Sequence, residues 1–316
     1  MFETEFLPLL RELVDSNYLS VANLGNKLDS FKNYLQQLEV DFNQTDSKIV
    51  LTDDIQLLNP MQLEQDLQHC FEHDELILDY FIEIDSTNRV ARQSPLEPGQ
   101  VSVVVSEQQN QGRGRLQRNW FSPFGKNIYC SIGLTKTIPP ELVGNISILT
   151  GLALAQVLID LGVKNVKLKW PNDLLVNSKK IGGILIESRP LAADRFYFVI
   201  GFGLNLLMTK QDLQQISQPA TSLLEIGLTR INKKQILMAT IQSVFRAIKS
   251  YSGQNKTQVG QAFEQLDAFK KQLITLNTSQ GQLKGINLGI DKFAALKLET
   301  ADGLKLINAA EIVGGE

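Results

Sequence analysis

Only two cysteines occur in the 316 residues, and Cys70 and Cys130 lie far apart in unrelated surroundings. That scarcity excludes a disulfide framework and a thiolate metal cluster, and it predicts structural thiols in a reducing compartment. An excess of charge of either sign is also missing. With 31 Lys and Arg against 34 Asp and Glu the net charge is −3, so the molecule as a whole exerts no strong pull on nucleic acid or membrane. The start, MFETEFLPLL, is acidic and has neither the basic residues nor the apolar length of a secretion signal; cytoplasmic residence is the expectation. The longest uncharged run, Leu142 to Ile159, contains Asn145, Ser147, Thr150 and Gln156 between Glu141 and Asp160, which suits a buried helix rather than a membrane span. Internal repeats and low-complexity tracts are absent, which sets a solenoid aside.

What is present is a chain long enough for two or three domains, 43% hydrophobic and so able to bury a sizeable core. Residues 1–58 read as a winged helix-turn-helix: helices Glu5 to Asp15, Val21 to Leu28 after Ser20 as a candidate cap, and Phe31 to Glu39 after Asp29 and Ser30, then a wing over Val40 to Leu51 around Asn43, Asp46 and Ser47. A polar link at Asn59 and Pro60 ends this unit. Across residues 59–266 helical and strand patterns mix without regular alternation, which predicts an α+β fold on a mixed sheet. Its clearest strands are Val101 to Glu107, Ile128 to Leu134, Val166 to Trp170, Ile181 to Ser188 and Phe196 to Asn205, and its clearest helix is Asn145 to Leu161, closed by Gly162. Residues 267–316 change to short strands, Gln272 to Leu276, Leu283 to Ile290, Ala294 to Glu299 and Leu304 to Val313, with a turn at Asp302-Gly303. A small C-terminal β-barrel is the simplest reading.

Four stretches carry chemistry. In Gln111-Gly112-Arg113-Gly114-Arg115, continuing through Arg118 and Trp120 to Gly125, three arginines fall within six residues. Glycine lets backbone approach a ligand while guanidinium forks neutralise carboxylate or phosphate oxygens, although a solvated basic loop would look alike. Trp120, Phe121 and Phe124 add apolar anchors, pointing to a loop that folds over a ligand both greasy and anionic. In Lys169-Trp170-Pro171-Asn172-Asp173 the last three residues signal a turn, with Lys179 read as a solvated lysine beyond it. Lys180 differs, because it enters a glycine-opened apolar strand at Gly182 and Gly183, where an ammonium could stabilise charge building on a phosphate. Ile84-Asp85-Ser86-Thr87-Asn88 ends an apolar strand in hydroxyl and amide groups, readable as a cap for a helix over residues 88–94. Ile200-Gly201-Phe202-Gly203-Leu204-Asn205 puts glycines in an apolar strand, as tight packing at a bulge or as room for a ligand.

Taken in order, these stretches, with Gln109 between the first pair, resemble the successive signatures of biotin–protein ligases. The resemblance covers the central domain, and the three-part layout is similar to the bacterial bifunctional form that doubles as the biotin-operon repressor. It implies a class II synthetase-like central domain and an SH3-like C-terminal barrel. It further implies that Ser86, Thr87, Asn88 and Gln109 contact biotin and that Arg113, Gly114 and Arg115 line its carboxylate and the nucleotide. Lys180 would sit at the reacting carboxyl–phosphate junction, with Arg115 as the second catalytic side chain, and Trp120, Asn172, Asp173, Gly183 and Asn205 would stand around the site or on its nucleotide side. Biotin and ATP with Mg²⁺ are the implied substrates, with no closed metal cage in the protein. The implied macromolecular partners are the apo biotin carboxyl carrier protein of acetyl-CoA carboxylase, a second copy of the chain and operator DNA, with no membrane.

Two alternatives stay open. A lipoate or octanoate ligase has a related fold but needs a longer apolar tunnel. A principally DNA-binding, biotin-responsive repressor would need a basic face, whereas residues 1–56 hold four basic against ten acidic side chains, a formal −6. The expected recognition helix offers Lys32 as its cation, with Asn33, Gln36 and Gln37 as base readers. Operator binding and a degenerate winged helix kept for packing are both compatible with that pattern. The sequence ends soon after Glu311-Ile312-Val313 without the basic tail expected of some relatives, so no nucleotide contact is assigned there.

Overall fold

The computed structural model of the chain describes residues 2–71, 74–93, 96–97 and 99–315. Helices α1 (Phe2–Ser16), α2 (Val21–Leu24) and α3 (Leu28–Gln37) pack around Leu10, Leu13, Phe31 and Leu35, all fully buried. A three-stranded antiparallel sheet completes the unit, with β3 (Lys48–Leu51) between β1 (Tyr18–Ser20) and β2 (Phe42–Gln44). The second helix is shorter than expected: Gly25 at φ +51° breaks it, Gly25–Lys27 winds on as a tighter turn, and α3 therefore starts at Leu28 and not at Phe31. It also stops at Gln37, because Glu39 adopts φ +56°. The Asn59-Pro60 link is a helix start. Asn59 accepts from the Gln62 N–H and Pro60 supplies the first residue of α4 (Pro60–Gln68), the pairing of cap and fixed φ that favours nucleation there.

The central sheet has the order β4 (Glu75–Ile84), β5 (Gln100–Gln109), β6 (Asn127–Thr137), β10 (Arg195–Asn205), β9 (Lys179–Pro190), β8 (Asp173–Val176) and β7 (Val166–Lys169). It is mixed: β4 and β5 run parallel, joined through α5 (Thr87–Gln93), and every other pair is antiparallel. Helix α6 (Asn145–Asp160) lies across one face, covered in turn by α8 (Lys233–Ser250) and α9 (Lys256–Leu266), so it meets apolar partners nearly all round. With the helical turn that precedes it, the run Pro140–Asp160 is the one helical stretch among the described residues apolar and long enough to cross a membrane by composition, and most of it is buried in this fold. Gly162, at φ +84°, follows it. Truncating Leu154, fully buried on α6, would cost about 2–5 kcal/mol.

The C-terminal strands β11 (Leu273–Thr278), β12 (Gly281–Ile290), β13 (Leu296–Thr300), β14 (Gly303–Ile307) and β15 (Glu311–Gly315) form an antiparallel sheet in the order β14-β13-β12-β11-β15. The segment Leu304 to Val313, expected as one strand, is two. The chain bends at Asn308–Ala310 and crosses from one edge of the sheet to the other, where β15 pairs with β11. The hairpin turn sits one residue earlier than expected, since Thr300 pairs with Gly303 and leaves Ala301-Asp302 as its tip. Short α7 (Lys210–Gln214) lies in the connection between β10 and α8.

Candidate active site

The arginine loop closes on itself as a small ear. Arg113 bridges Asn119, the Gly114 N–H donates to the Arg118 carbonyl at 2.7 Å, and the Trp120 N–H donates to that of Gly112 at 2.9 Å. Leu116 stands exposed at the tip with φ +54°. Trp120 folds back onto the sheet, and glycine is what allows it: a Cβ at Gly203 would come within 2.7 Å of the indole and one at Gly183 within 2.8 Å. The alternative of a bulge at these glycines is overturned, since β10 pairs with β6 and β9 in unbroken register through Gly201 and Gly203. Gly201 instead leaves room for the Asn88 amide, which any side chain there would overlap.

One end of the cleft is a buried polar cluster. Ser86, Thr87 and Asn88 are all buried at the start of α5, which runs Thr87–Gln93; residue 94 of the expected helix lies outside the described residues. Gln109 Oε1 accepts from the Thr87 N–H at 2.9 Å and its hydroxyl at 3.2 Å, while Gln109 Nε2 reaches Ser122 Oγ at 3.4 Å. Ser131 Oγ lies 2.8 Å from Thr87 Oγ1 and 2.7 Å from Asn88 Oδ1, and Asn88 Nδ2 donates to Glu187 at 3.0 Å and to the Leu185 carbonyl at 3.2 Å. Such a network fixes donors and acceptors before a ligand arrives, which suits recognition of a small, uncharged polar ring.

The other end is cationic. Lys180, 15% exposed, pairs with Asp173 at 2.7 Å, and its ammonium lies 5.3 Å from the centre of the Trp120 ring. Arg115 reaches Asn172 Oδ1 at 3.5 Å while Asn172 Nδ2 donates to the Ile184 carbonyl at 2.8 Å. Burial pulls the Arg115 guanidinium below its ordinary pKa although Asp173 and Glu311 oppose the shift, so a ligand anion would restore what burial removes. Lys179 is exposed. The indole N–H of Trp120 is buried without a hydrogen-bond partner, a donor left for a ligand. Asn205, also buried, donates to the Thr221 carbonyl at 2.9 Å.

Ser86, Thr87, Asn88, Gln109, Arg115, Trp120, Asn172, Asp173, Lys180, Gly183 and Asn205, with Arg113 and Gly114 at the rim, line one cavity of about 730 Å³, within the size range of sites that enclose a small organic ligand. Several of its contributors carried no assignment in the sequence. Gln215 to Gln218 form part of the wall from a polar stretch with no periodic signal. Arg118 was legible only as a third arginine. It is held in a two-pronged ion pair by Glu311, 193 residues away, Nη2 to Oε2 at 2.6 Å. Lys32, Asn33 and Gln36 do not belong to the cavity. Asn33 and Gln36 are exposed on α3, and Lys32 is paired with Asp29 at 2.8 Å. Among the described residues no three His, Cys, Asp or Glu side chains group as metal ligands.

The signature of the Biotin/lipoate A/B protein ligase family matches residues 80–205, the span that holds the polar cluster, the arginine loop and Lys180. The bifunctional ligase/repressor BirA of Salmonella typhimurium is 30% identical over 314 residues, 97% of this chain and 96% of the relative. The chain belongs to the biotin–protein ligase family. The Escherichia coli bifunctional ligase/repressor BirA is 33% identical over 223 residues, 70% of this chain and 68% of its own. Among solved structures, the biotin protein ligase of Aquifex aeolicus in complex with biotin and ATP superposes with a TM-score of 0.63 at 25% identity, covering 75% of this chain and 97% of that one. Family membership resolves the breadth of the matched signature, which spans biotin and lipoate enzymes, in favour of the biotin branch.

Proposed function

We propose that this biotin–protein ligase activates biotin with ATP and transfers it to a lysine of the biotin carboxyl carrier protein of acetyl-CoA carboxylase. The observation that carries the reading is the meeting, in one cavity, of a neutral polar cluster at Ser86, Thr87, Asn88 and Gln109 with a cationic end at Arg115 and Lys180. The ureido ring of biotin suits the first and its carboxylate the second. In the first step a carboxylate oxygen attacks the α-phosphorus of ATP, the bond to the bridging oxygen breaks, and pyrophosphate leaves. Attacker and target are both anionic, so preorganised positive charge lowers the barrier; Lys180 and Arg115 supply it, Lys180 by exchanging Asp173 for phosphate oxygen. Magnesium would come with the triphosphate, and Asp173 and Asn172 are hard oxygen donors in the cavity that would fit it. In the second step the neutral amine of the carrier lysine attacks the acyl carbon, AMP leaves with the bonding pair, and the amine loses a proton. Arg113, Gly114 and Trp120 close over the anhydride and keep water out, and positioning supplies most of the rate, where effective molarities reach about 10⁵ M or more.

Residues 59–266 form the catalytic, class II synthetase-like domain in this reading, and residues 267–316 an SH3-like barrel whose Glu311 reaches the arginine loop. Residues 1–58 form a winged helix-turn-helix, which the three helices and the hairpin support. The bifunctional naming of the relatives favours a repressor role with a homodimer on operator DNA; the neutralised Lys32 weighs against it. ATP–pyrophosphate exchange with biotin and with lipoate, followed by biotin transfer to an apo carrier domain, tests the ligase: exchange with lipoate alone would overturn it. A shift assay on a biotin-operon promoter with biotin and ATP, titrated with salt, tests the repressor.

A further inference from the structure

The stretch that follows the arginine loop is where the N-terminal unit grips the central sheet. Phe124 is buried in the N-terminal core beside Ile55, and the Gln56 N–H donates to the Gly125 carbonyl at 3.0 Å. Gly125, at φ +67°, approaches Ile55 so closely that a Cβ would lie 2.9 Å from it. Lys126 comes next. Its side chain is 9% exposed, and its ammonium is shared by carboxylates from two sides: Asp53 of the N-terminal unit at 2.5 Å, and Asp212 of α7 at 2.7 and 2.9 Å. Asp212 also accepts from the Thr209 N–H at 2.8 Å and hydroxyl at 3.0 Å, the box that starts α7.

Beyond α7 the chain runs as a strap along the cavity wall. Its far end is tied to the backbone of the reacting lysine, since the Lys180 N–H donates to the Pro219 carbonyl and the Thr221 N–H to that of Lys180, both at 2.9 Å. Its near end hangs on Asp212. A cap for α7 requires only Thr209 and Asp212; the added burial of an ammonium, costly unless fully paired, and its second bond to Asp53 join the strap to a different part of the molecule.

We propose that Lys126 is a positioning residue for the ligase reaction, fixing the strap of residues 213–219 over the adenylate and making its closure depend on how the N-terminal unit is docked through Asp53. The inference rests on the ligase reading for what the strap covers. Asp53→Asn removes the N-terminal branch and leaves the pair with Asp212, and Asp53 is 30% exposed, so the variant folds. Lys126→Met removes both branches and Lys126→Arg keeps the charge that serves both.

Hydrogen exchange of amides 213–218 in the unliganded full-length chain reads the anchor without reference to activity. Release of biotinyl-adenylate, KM for ATP, and biotin affinity in the absence of nucleotide read its consequence. For Asp53→Asn, strap exchange and adenylate release should both rise about two- to fivefold, as for loss of a partly exposed ion pair, with biotin affinity unchanged. Lys126→Met, which leaves carboxylates facing each other, should exceed that and raise KM for ATP more than it lowers kcat, and Lys126→Arg should restore wild-type release. Unchanged exchange and release in a stably folded Asp53→Asn chain would overturn the proposal, as would an equal loss of biotin affinity. If the wild type forms no adenylate, the ligase reading falls and takes the adenylate role with it, and the exchange result then judges the anchor alone.

Discussion

The central cavity and the exposed side of α3 make opposite use of charge. In the cavity Arg115 sits partly buried with the Asn172 amide oxygen at 3.5 Å as its hydrogen-bond partner, so its positive potential is available to a ligand, while Lys180 beside it is closely paired with Asp173 at 2.7 Å. On α3 the candidate DNA contact Lys32 is already satisfied by Asp29, and the nearby Lys27 is paired with Glu5 at 2.9 Å. A cation left poorly matched by its own fold is held for something that arrives, whereas one matched at the surface by a neighbouring turn contributes little to outside partners.

The largest effect should come from breaking the cavity side of that contrast. Lys180→Ala is expected to slow biotin-dependent ATP–pyrophosphate exchange by about 10²–10³-fold, the scale of losing one preorganised charge-stabilising group; near-normal single-turnover adenylation would remove Lys180 from the mechanism. Next comes Gly203→Ala, which pushes the indole of Trp120 off the sheet. It should cost about 1–3 kcal/mol in a thermal or denaturant melt and raise KM for biotin, with the two effects appearing together because one ring causes both. On α3, Asp29→Ala frees Lys32, and operator affinity in a shift assay should improve by no more than the 0.2–1 kcal/mol typical of exposed pairs, about. A larger gain with a steeper salt slope would show that α3 is a working phosphate-binding face.

The smallest predicted effect lies at the junction with the C-terminal sheet. Burial raises the pKa of the Asp267 carboxyl, although it accepts from the Phe269 N–H and Asn287. A folded pKa above the unfolded one adds stability that is full below the unfolded value, near 3.9, and is lost as pH rises through the folded value. Asp267→Asn should therefore remove a small component of destabilisation that the wild type gains across that window, measured as a converging difference in melting temperature between the two chains toward acid pH.

What the sequence made legible were features that act locally. Glycines beside Lys180 and in β10 announced a close approach, and the approach is by Trp120 and Asn88. The apolar run over α6 announced burial, and Asn205 and Gln109 fell where their strands put them at the cavity. Partnerships made by the fold across long separations left no such mark. Nothing near Arg118 points to Glu311, and nothing near Lys126 points to Asp53 and Asp212. The split of Leu304 to Val313 was hidden because β-prone residues continue on both sides of Asn308, and only the edge positions of β14 and β15 require the break. Strand β8 was missed for a similar reason: four residues after a turn read as the turn's own flank.

Phe124 carries a consequence for the ancestry of the chain. Its ring, with Ile82 from the central sheet, belongs to the same apolar cluster as Phe6, Leu10 and Ile55, so the amino-terminal unit is not a detachable reader appended to a finished enzyme. A lineage that shed it would expose this aromatic within the segment leading out of the arginine loop, and would survive the loss only with a polar or smaller residue there. Shortened members of such a lineage should therefore betray their truncation at a position well inside the enzyme.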